Sequence, residues 1–405
     1  MMLPRQCAIL VGGMGTRLGR LTNETPKPLL DCGGRPFLAW ILRELSRFGI
    51  EEIVLLAGHK SPQIEEFARQ AAGWLPKKLR IKVSIEPCPA GTGGAVWHSR
   101  QMLSDKFMLI NGDSWFDVNL ARFIAGAGDD NRALGHILLR TMNEAARYGS
   151  VDLRDGKIAA FHERSSDLST ALINTGMYVL KKDVLQYFSS NCSFERDVLP
   201  KLAQKGLLTG KVMEGYFIDI GIPEDYARAQ KELSQRLSRP AVFFDRDGVL
   251  NENLGWVGTR DRFNWISGAK EAVRIVNDAG MHAFVVTNQA GVARGYYSEG
   301  DVQTLHRMID DELRCYGASI DDWRYCPHHP EAIDASYRKV CDNRKPAPGM
   351  LLDIIGRWKV KLPNSFLIGD SASDIRAADS AHIASYLYSS ADLSALVISA
   401  LGRVA

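Results

Sequence analysis

The sequence predicts an α/β protein of two consecutive domains, residues 1–238 and 239–405. Three observations predict it. Short apolar and β-branched runs alternate with amphipathic stretches, the rhythm of parallel strands covered by helices. A charged, helix-like segment stops at Ser238-Arg239-Pro240, where the proline cannot continue it. Directly beyond, the buried run Ala241–Phe244 opens a second alternation.

In the first domain, Cys7–Val11, Ile53–Ala57, Ile81–Ile85 and Phe107–Ile110 read as strands, with helices over Pro36–Phe48 and Ile64–Ala72. From about Leu134 the pattern changes to paired strands. Ser150–Leu153 and Lys157–His162, joined by Arg154-Asp155-Gly156, read as a hairpin, so a mixed sheet is expected. One helix is expected over Pro223–Arg239. In the second domain the strands are Ala241–Phe244, Ala283–Thr287 and Phe366–Ile368. The helices lie near Ala269–Asn277, Ser298–Tyr316 and Ala347–Trp358. No hexapeptide repeat occurs, which excludes a fused β-helix acyltransferase.

The 405 residues suffice for two cores, and 45% hydrophobic with 24% charged residues is a globular composition. A net charge of +3 is too small to imply nucleic-acid binding. No stretch approaches the roughly 18 apolar residues of a membrane span. The opening MMLPRQCAILVGG reads as a first strand and not as a signal peptide. The seven cysteines are odd in number and irregularly spaced, which points to reduced thiols and a cytoplasmic protein. Oligomeric state is left open, a homo-oligomer included.

After the first strand comes Gly12-Gly13-Met14-Gly15-Thr16-Arg17-Leu18, followed by Pro26-Lys27-Pro28-Leu29. Glycines let a backbone approach a triphosphate and offer it N–H groups, while Arg17 and Lys27 add fixed positive charge. By itself such a turn is equally a plain tight turn. The glycine spacing is not that of a dinucleotide site, and no Gly-Lys-Ser/Thr makes it a Walker loop.

The combination GGMGTRL and TPKPLL resembles the sugar-1-phosphate nucleotidylyltransferases, and the similarity runs over roughly residues 7–230. The resemblance implies a Rossmann-like nucleotidyltransferase domain with in-line attack of a sugar 1-phosphate on the α-phosphorus of a nucleoside triphosphate. Gly12, Gly13, Gly15 and Thr16 would bind the nucleotide, as would Glu86, Gly91 and Thr92. Arg17 and Lys27 would act in catalysis, and Asp113 and Asp219 would hold Mg²⁺. Glu163, Arg164 and Asn174 would meet the sugar phosphate. Arg164 departs from the family's usual lysine, which keeps the charge and changes the donor geometry.

In the second domain, Phe243-Phe244-Asp245-Arg246-Asp247-Gly248 is a buried strand ending in two carboxylates. Residues i and i+2 of an extended chain point the same way, so both acids can face one pocket. Other strands end at Thr287-Asn288-Gln289 and at Gly369-Asp370-Ser371-Ala372-Ser373-Asp374, and Arg344-Lys345-Pro346 supplies cations. Polar groups at the carboxyl ends of an α/β sheet mark a ligand site.

This set resembles the haloacid-dehalogenase-like phosphatases, a Rossmannoid fold, here without a large cap. The resemblance implies hydrolysis through an aspartyl phosphate. Asp245 would be the nucleophile and Asp247 the acid and base, with Thr287 and Lys345 on the phosphoryl oxygens. Mg²⁺ would sit on Asp245, Asp370 and the Asp247 main chain, with Asp374 in support. DRDGVLN, VVTNQAGVARG, YCPHHPE and CDNRKPAPGM narrow the likeness to the D-glycero-D-manno-heptose 1,7-bisphosphate phosphatases, with histidinol phosphatases as near relatives. Asn251, Arg294 and Arg344 would then contact substrate. That family often binds zinc through four ligands. Cys326, His328 and Cys341 match three, while Asn343 stands at the fourth. Two alternatives stay open: zinc on three ligands with water or His329, or a metal-free loop with buried thiols.

Together the resemblances imply consecutive steps on heptose phosphates: removal of the 7-phosphate, then guanylyl transfer from GTP to give GDP-heptose. Other base donors, a histidinol-phosphate-type phosphatase, or one non-catalytic half are the competing expectations.

Overall fold

The computed structural model of the chain describes residues 3–128, 130–143, 149–163, 170–389 and 392–404. It divides into two compact units, Met1–Gln235 and Arg236–Ala405.

The first unit contains β1 (Gln6–Leu10), β2 (Glu52–Ala57), β3 (Arg80–Ile85), β4 (Lys106–Asn111) and β5 (Ser114–Asp117). These are followed by β6 (Gly135–Asn143), β7 (Ser150–Arg154), β8 (Lys157–His162), β9 (Thr170–Lys181), β10 (Leu208–Val212) and β11 (Tyr216–Asp219). Its helices are α1 (Phe37–Arg47), α2 (Ser61–Gln70), α3 (Gly91–His98), α4 (Leu120–Gly126), α5 (Leu199–Gln204) and α6 (Pro223–Arg236). Nine strands form one sheet in the order β3-β2-β1-β4-β9-β6-β10-β8-β7. β1 pairs in parallel with β2 and β4, and β9 runs antiparallel to β4 and β6, so the sheet is mixed. β5 and β11 form a separate antiparallel ribbon that sets Asp219 opposite Ser114.

Local chemistry explains the turns. Asp155 (φ 49) and Gly156 (φ 74) make the left-handed two-residue connection that matches the twist of the β7–β8 hairpin. The segment Ile173–Gly176, which carries the expected sugar contact Asn174, lies within β9. The register of β9 against β6 shifts between Ile137 and Leu139, and Gly176 adopts φ 77. A glycine in the left-handed region is what a bulge requires, and it leaves the strand continuous on either side. The helix expected to reach Arg239 ends at Arg236.

The second unit contains β12 (Ala241–Phe244), β13 (His282–Asn288), β14 (Asp322–Cys326), β15 (Phe366–Gly369) and β16 (Ala384–Leu387). Its helices are α7 (Ala269–Asp278), α8 (Glu299–Tyr316), α9 (Gly349–Trp358), α10 (Ala372–Ser380) and α11 (Leu393–Val404). All five strands are parallel, in the order β14-β13-β12-β15-β16. Side chains alternate across β12. Val242 and Phe244 enter one core with residues of α7, α8 and α11, and Ala241 and Phe243 enter the other with residues of α9 and α10. Both phenylalanines are fully buried, each worth about 1.5–3 kcal/mol by transfer. Burial on both faces is why β12 reads as a continuous apolar run. The strand order reverses between β12 and β15, the crevice where α/β sheets bind ligands.

No helix among the described residues is long and apolar enough to cross a membrane. All seven cysteines are free thiols.

Candidate active sites

In the first unit, the chain leaves β1 through Gly12, Gly13, Met14 and Gly15, the last at φ 67. A cavity of about 350 Å³ opens there, and its lining includes Gly12, Gly13, Gly15, Lys27, Glu86, Gly91, Thr92 and Asp113. A Cβ on Gly12 would lie 2.8 Å from the Gly58 nitrogen, so only glycine fits that approach of two loops. Glu86 accepts the Ala90 N–H at 3.3 Å, and burial raises its carboxyl above the usual range.

Lys27 Nζ forms an ion pair with Asp113, and Asp219 Oδ1 accepts the Gly221 N–H at 2.7 Å. The Ile220 N–H donates to the Asp113 carbonyl at 2.9 Å, which fastens the two strand ends together. Asp219 is pushed up to about 6, by burial first and then by the charge of Asp113, against the pull of Lys27 and Arg17. Of these, Asp113 and Lys27 line the cavity while Asp219 and Arg17 do not; two acids that repel in this way suit a divalent cation. Thr16 opens the 3-10 segment Thr16–Thr22 and does not line the cavity.

The expected sugar contacts are placed differently. Asn174 donates to the Tyr178 hydroxyl at 2.7 Å and accepts the Gly176 N–H at 3.0 Å, so its side chain closes the β9 bulge. Glu163 is exposed just past β8, and Arg164 lies outside the described residues. Sequence reasoning missed Glu195. A π-helical turn, Phe194–Val198, carries it to the cavity wall, where it accepts the Thr92 hydroxyl at 2.6 Å. Nothing in its local sequence marks it; only the fold brings it to Thr92.

In the second unit, the carboxyl end of β12 presents Asp245, which is 8% exposed. Lys345 Nζ, itself buried, lies 2.9 Å from Asp245 Oδ1 and 2.5 Å from Asp374 Oδ1, and donates to the Val286 carbonyl at 2.9 Å. Burial pushes Asp245 up to about 6, with Lys345 opposing and Asp374 reinforcing the shift. For Lys345, burial alone would favour the neutral amine. The two carboxylates outweigh it and hold the ammonium above the ordinary lysine value. Thr287, at the end of β13, accepts Gln289 Nε2 at 2.9 Å.

Asp245, Asp370 and Asp374 bring carboxylate oxygens within 4.8 Å of one another. Burial first, and the charge of Asp374 next, raise Asp370. Three crowded acids facing one buried ammonium fit a divalent cation, with Asp374 tied to that ammonium and to Ser371. Gly248, at φ 89, makes room for it, since a Cβ there would come within 1.9 Å of Asp370 Oδ2.

The Asp247 carboxylate stands outside this trio. It accepts Arg246 Nε at 3.0 Å, Arg246 Nη2 at 2.9 Å, Asn251 Nδ2 at 2.9 Å and Gln289 Nε2 at 2.9 Å. Arg246 is fully buried and was not expected at the site; it also donates to Gln289 Oε1 at 3.0 Å. Asn251, expected to touch substrate, is fully buried, and its Nδ2 donates to Asp247. Arg344 donates to the His328 carbonyl at 3.3 Å, and Arg294 stacks over Trp256 with Cζ 5.3 Å from the ring centroid.

Cys326, His328 and Cys341 also converge within 4.8 Å. The Cys326 Sγ to His328 Nδ1 distance is 3.7 Å, close to the edge of about 3.6 Å that zinc–sulfur and zinc–nitrogen bonds give a tetrahedron. Asn343 Oδ1 crowds Gly349, 2.6 Å from where a Cβ would stand. His329 Nδ1 accepts the Glu331 N–H at 3.1 Å, which leaves Nε2 as its remaining ring donor or acceptor.

Comparison with known proteins gives each half relatives. The nucleotidyl transferase family matches residues 7–236, and the HAD-hydrolase-like family matches residues 342–395. A D-glycero-β-D-manno-heptose-1,7-bisphosphate 7-phosphatase of Rhodopseudomonas palustris is 51% identical over 159 residues, 39% of this chain and 88% of that protein. A D-glycero-α-D-manno-heptose 1-phosphate guanylyltransferase of Aneurinibacillus thermoaerophilus is 38% identical over 236 residues, 56% of this chain and 98% of that protein. The crystal structure of HddC from Yersinia pseudotuberculosis complexed with GMP-PN is 33% identical, with a TM-score of 0.51, over 57% of this chain and 100% of that one. The chain belongs to the nucleotidyl transferase family and is a bifunctional enzyme, with a sugar-1-phosphate nucleotidylyltransferase unit fused to a HAD-like phosphatase unit.

Proposed function

We propose that the second unit hydrolyses the 7-phosphate of D-glycero-D-manno-heptose 1,7-bisphosphate. The first unit then transfers GMP from GTP to the heptose 1-phosphate, giving GDP-heptose and pyrophosphate. One observation carries this reading: a single chain joins an Asp245–Lys345 phosphatase centre to a nucleotidyl cavity, and the relatives of the two halves act on consecutive compounds.

In the phosphatase, Asp245 attacks phosphorus while the bond to the sugar oxygen breaks, and Asp247 delivers the proton to that oxygen. Asp247 then takes a proton from the water that cleaves the aspartyl phosphate. Lys345 and Thr287 hold phosphoryl oxygens. Arg246, Asn251 and Gln289 keep the Asp247 carboxylate oriented. Asp245 and Asp370, with the Asp247 carbonyl, would hold Mg²⁺, which would neutralise charge on the phosphoryl group, while Asp374 supports the site through Lys345.

In the transferase no protein nucleophile is needed, so positioning and charge carry the rate. Glu86 and Thr92 orient the nucleotide, and Arg17 and Lys27 meet the departing pyrophosphate. Asp113 and Asp219 would hold Mg²⁺. Cys326, His328 and Cys341 would hold Zn²⁺ in the phosphatase unit as a structural ion. Use of GTP suits a cytoplasmic protein.

Hydrolysis at C7 leaves the anomeric carbon untouched, so the anomer of the bisphosphate passes unchanged to the nucleotide sugar. The guanylyltransferase relatives are named for α-heptose 1-phosphate, whereas the phosphatase relatives are named for the β bisphosphate. Coupling therefore requires this phosphatase to accept the α anomer. The test supplies each anomer with Mg²⁺ and each nucleoside triphosphate, and reads products by mass spectrometry. GDP-heptose from the α bisphosphate and GTP is the expected product. Phosphate release with no nucleotide sugar from any donor would refute the coupled reading.

A further inference from the structure

Two loops border the phosphatase centre, and both are bolted to the group that holds Asp247. The Val257 carbonyl accepts from Arg246 Nη2, and the Tyr297 hydroxyl donates to Gln289 Oε1 at 2.8 Å. Gly258 and Gly291 admit the Tyr297 ring between the loops, since a Cβ on either would lie within 2.3 Å of it. The residues next to these bolts stay in solvent. Trp256 is 44% exposed and Tyr296 is 62% exposed, with ring centroids 5.4 Å apart at an interplanar angle of 39°.

This pair is a costly arrangement for packing alone. Trp256 adopts φ 53, a left-handed conformation that bulky residues avoid, and it follows Gly255 at φ 66. Strain of this kind concentrates at ligand clamps, where the surroundings enforce it. The reward in burial is small, because large parts of both rings stay in solvent. One face of Trp256 is covered by the Arg294 guanidinium, whose Nε is buried without a hydrogen-bond partner. Arg344 lies close enough to feel the Arg294 charge. Two guanidinium groups beside an aromatic ledge complement a molecule with a C–H face and an anionic end.

We propose that Trp256 and Tyr296 form a stacking ledge for the sugar ring of the phosphatase substrate, with Arg294 bridging the ledge to a second anionic group on that molecule. This rests on the reading of the second unit as a sugar-phosphate phosphatase. An aromatic face attracts the polarised C–H bonds of a sugar, and a cation over the same ring adds to the field. With no large cap over the site, these two loops supply the recognition that covers the leaving group.

The test uses the full chain with Mg²⁺ and two substrates, heptose 1,7-bisphosphate and ring-free acetyl phosphate. The readout is the ratio of kcat/KM for the sugar to kcat/KM for acetyl phosphate. Trp256→Ala should lower that ratio at least about tenfold, the equivalent of about 1.4 kcal/mol, chiefly through KM. Trp256→Phe should restore most of it, and Tyr296→Ala, at a more exposed position, should lower it about threefold. Wild-type protein that cleaves the bisphosphate while Trp256→Ala and Tyr296→Ala both keep the ratio within twofold overturns the ledge alone. Wild-type protein that cleaves acetyl phosphate and no sugar phosphate overturns the reading of the site, and the ledge with it.

Discussion

Replacing Lys345 by methionine removes a buried ammonium shared by Asp245 and Asp374 and keeps most of the side-chain volume. Breaking one partner out of a buried charge group costs about 3–5 kcal/mol, because the remaining carboxylates are stranded away from water. The protein limits that cost by protonating them. Burial already raises Asp245 above the ordinary carboxylate range with the lysine in place. Without Lys345 the two influences that lower it vanish, and the protonated form dominates.

Loss of the nucleophilic carboxylate and of a phosphoryl-binding cation should cut phosphate release on the order of 100- to 1000-fold at pH 7. The stability deficit has a definite pH dependence. In the variant Asp245 has a folded value above its unfolded one, so the folded state binds more protons. Its favourable contribution is present below the unfolded value of about 3.9 and is lost as pH rises through the folded value. The deficit should therefore be larger at pH 8 than at pH 5. Phosphate release with Mg²⁺ measures the first effect. Hydrogen exchange of the β12 amides in the full chain, with chelator present, measures the second. Release within threefold of wild type, or an equal deficit at both pH values, would refute the account.

Three other outcomes are expected. His136 is buried, stacked on Phe123 and pushed down to about 4, chiefly by burial; its folded value lies below its unfolded one, so about 3 kcal/mol of stability present above pH 6.5 is lost as pH falls towards 4. Urea midpoints of the first unit across that range, compared with His136→Gln, check it, and an unchanged slope would count against a neutral buried histidine. Gly58→Ala places a Cβ 2.2 Å from Glu86 Oε1 and should raise KM for the nucleoside triphosphate about tenfold while phosphate release serves as an internal control. Chelated protein should take up one equivalent of zinc by mass spectrometry and Cys341→Ser should take up none; no uptake by wild type means a metal-free loop.

The parts of the site written in consecutive residues were legible. Asp245 and Asp247 follow a strand whose two faces are both apolar, and the glycine turn after β1 announces itself by composition. Residues whose role depends on long-range meetings were not. Glu195 reaches Thr92 only through a π-helical turn more than a hundred positions away. Asn251 was expected at substrate from the family resemblance, but the chain folds back on it, and the Gly248 N–H donates to its carbonyl at 2.7 Å. Arg246 looked like a charged residue between two acids. Its burial follows from the alternation of side chains at the end of β12, which turns it away from the pocket that receives Asp245. The β9 bulge depended on a register shift, which no local pattern encodes.

Asp374 carries two tasks on two oxygens. Oδ2 accepts the Ser371 N–H at 3.1 Å and the Ser371 hydroxyl at 2.6 Å, which caps α10, while Oδ1 meets Lys345. Asparagine has a single acceptor oxygen and no charge, so it can serve the cap or the amine and not both. Glutamate adds a methylene where Gly369 leaves no room, since even a Cβ on that glycine would come within 2.2 Å of the Asp374 Cβ. The first turn of α10 is thereby tied to the chemistry at Asp245, which its exposed later positions do not touch.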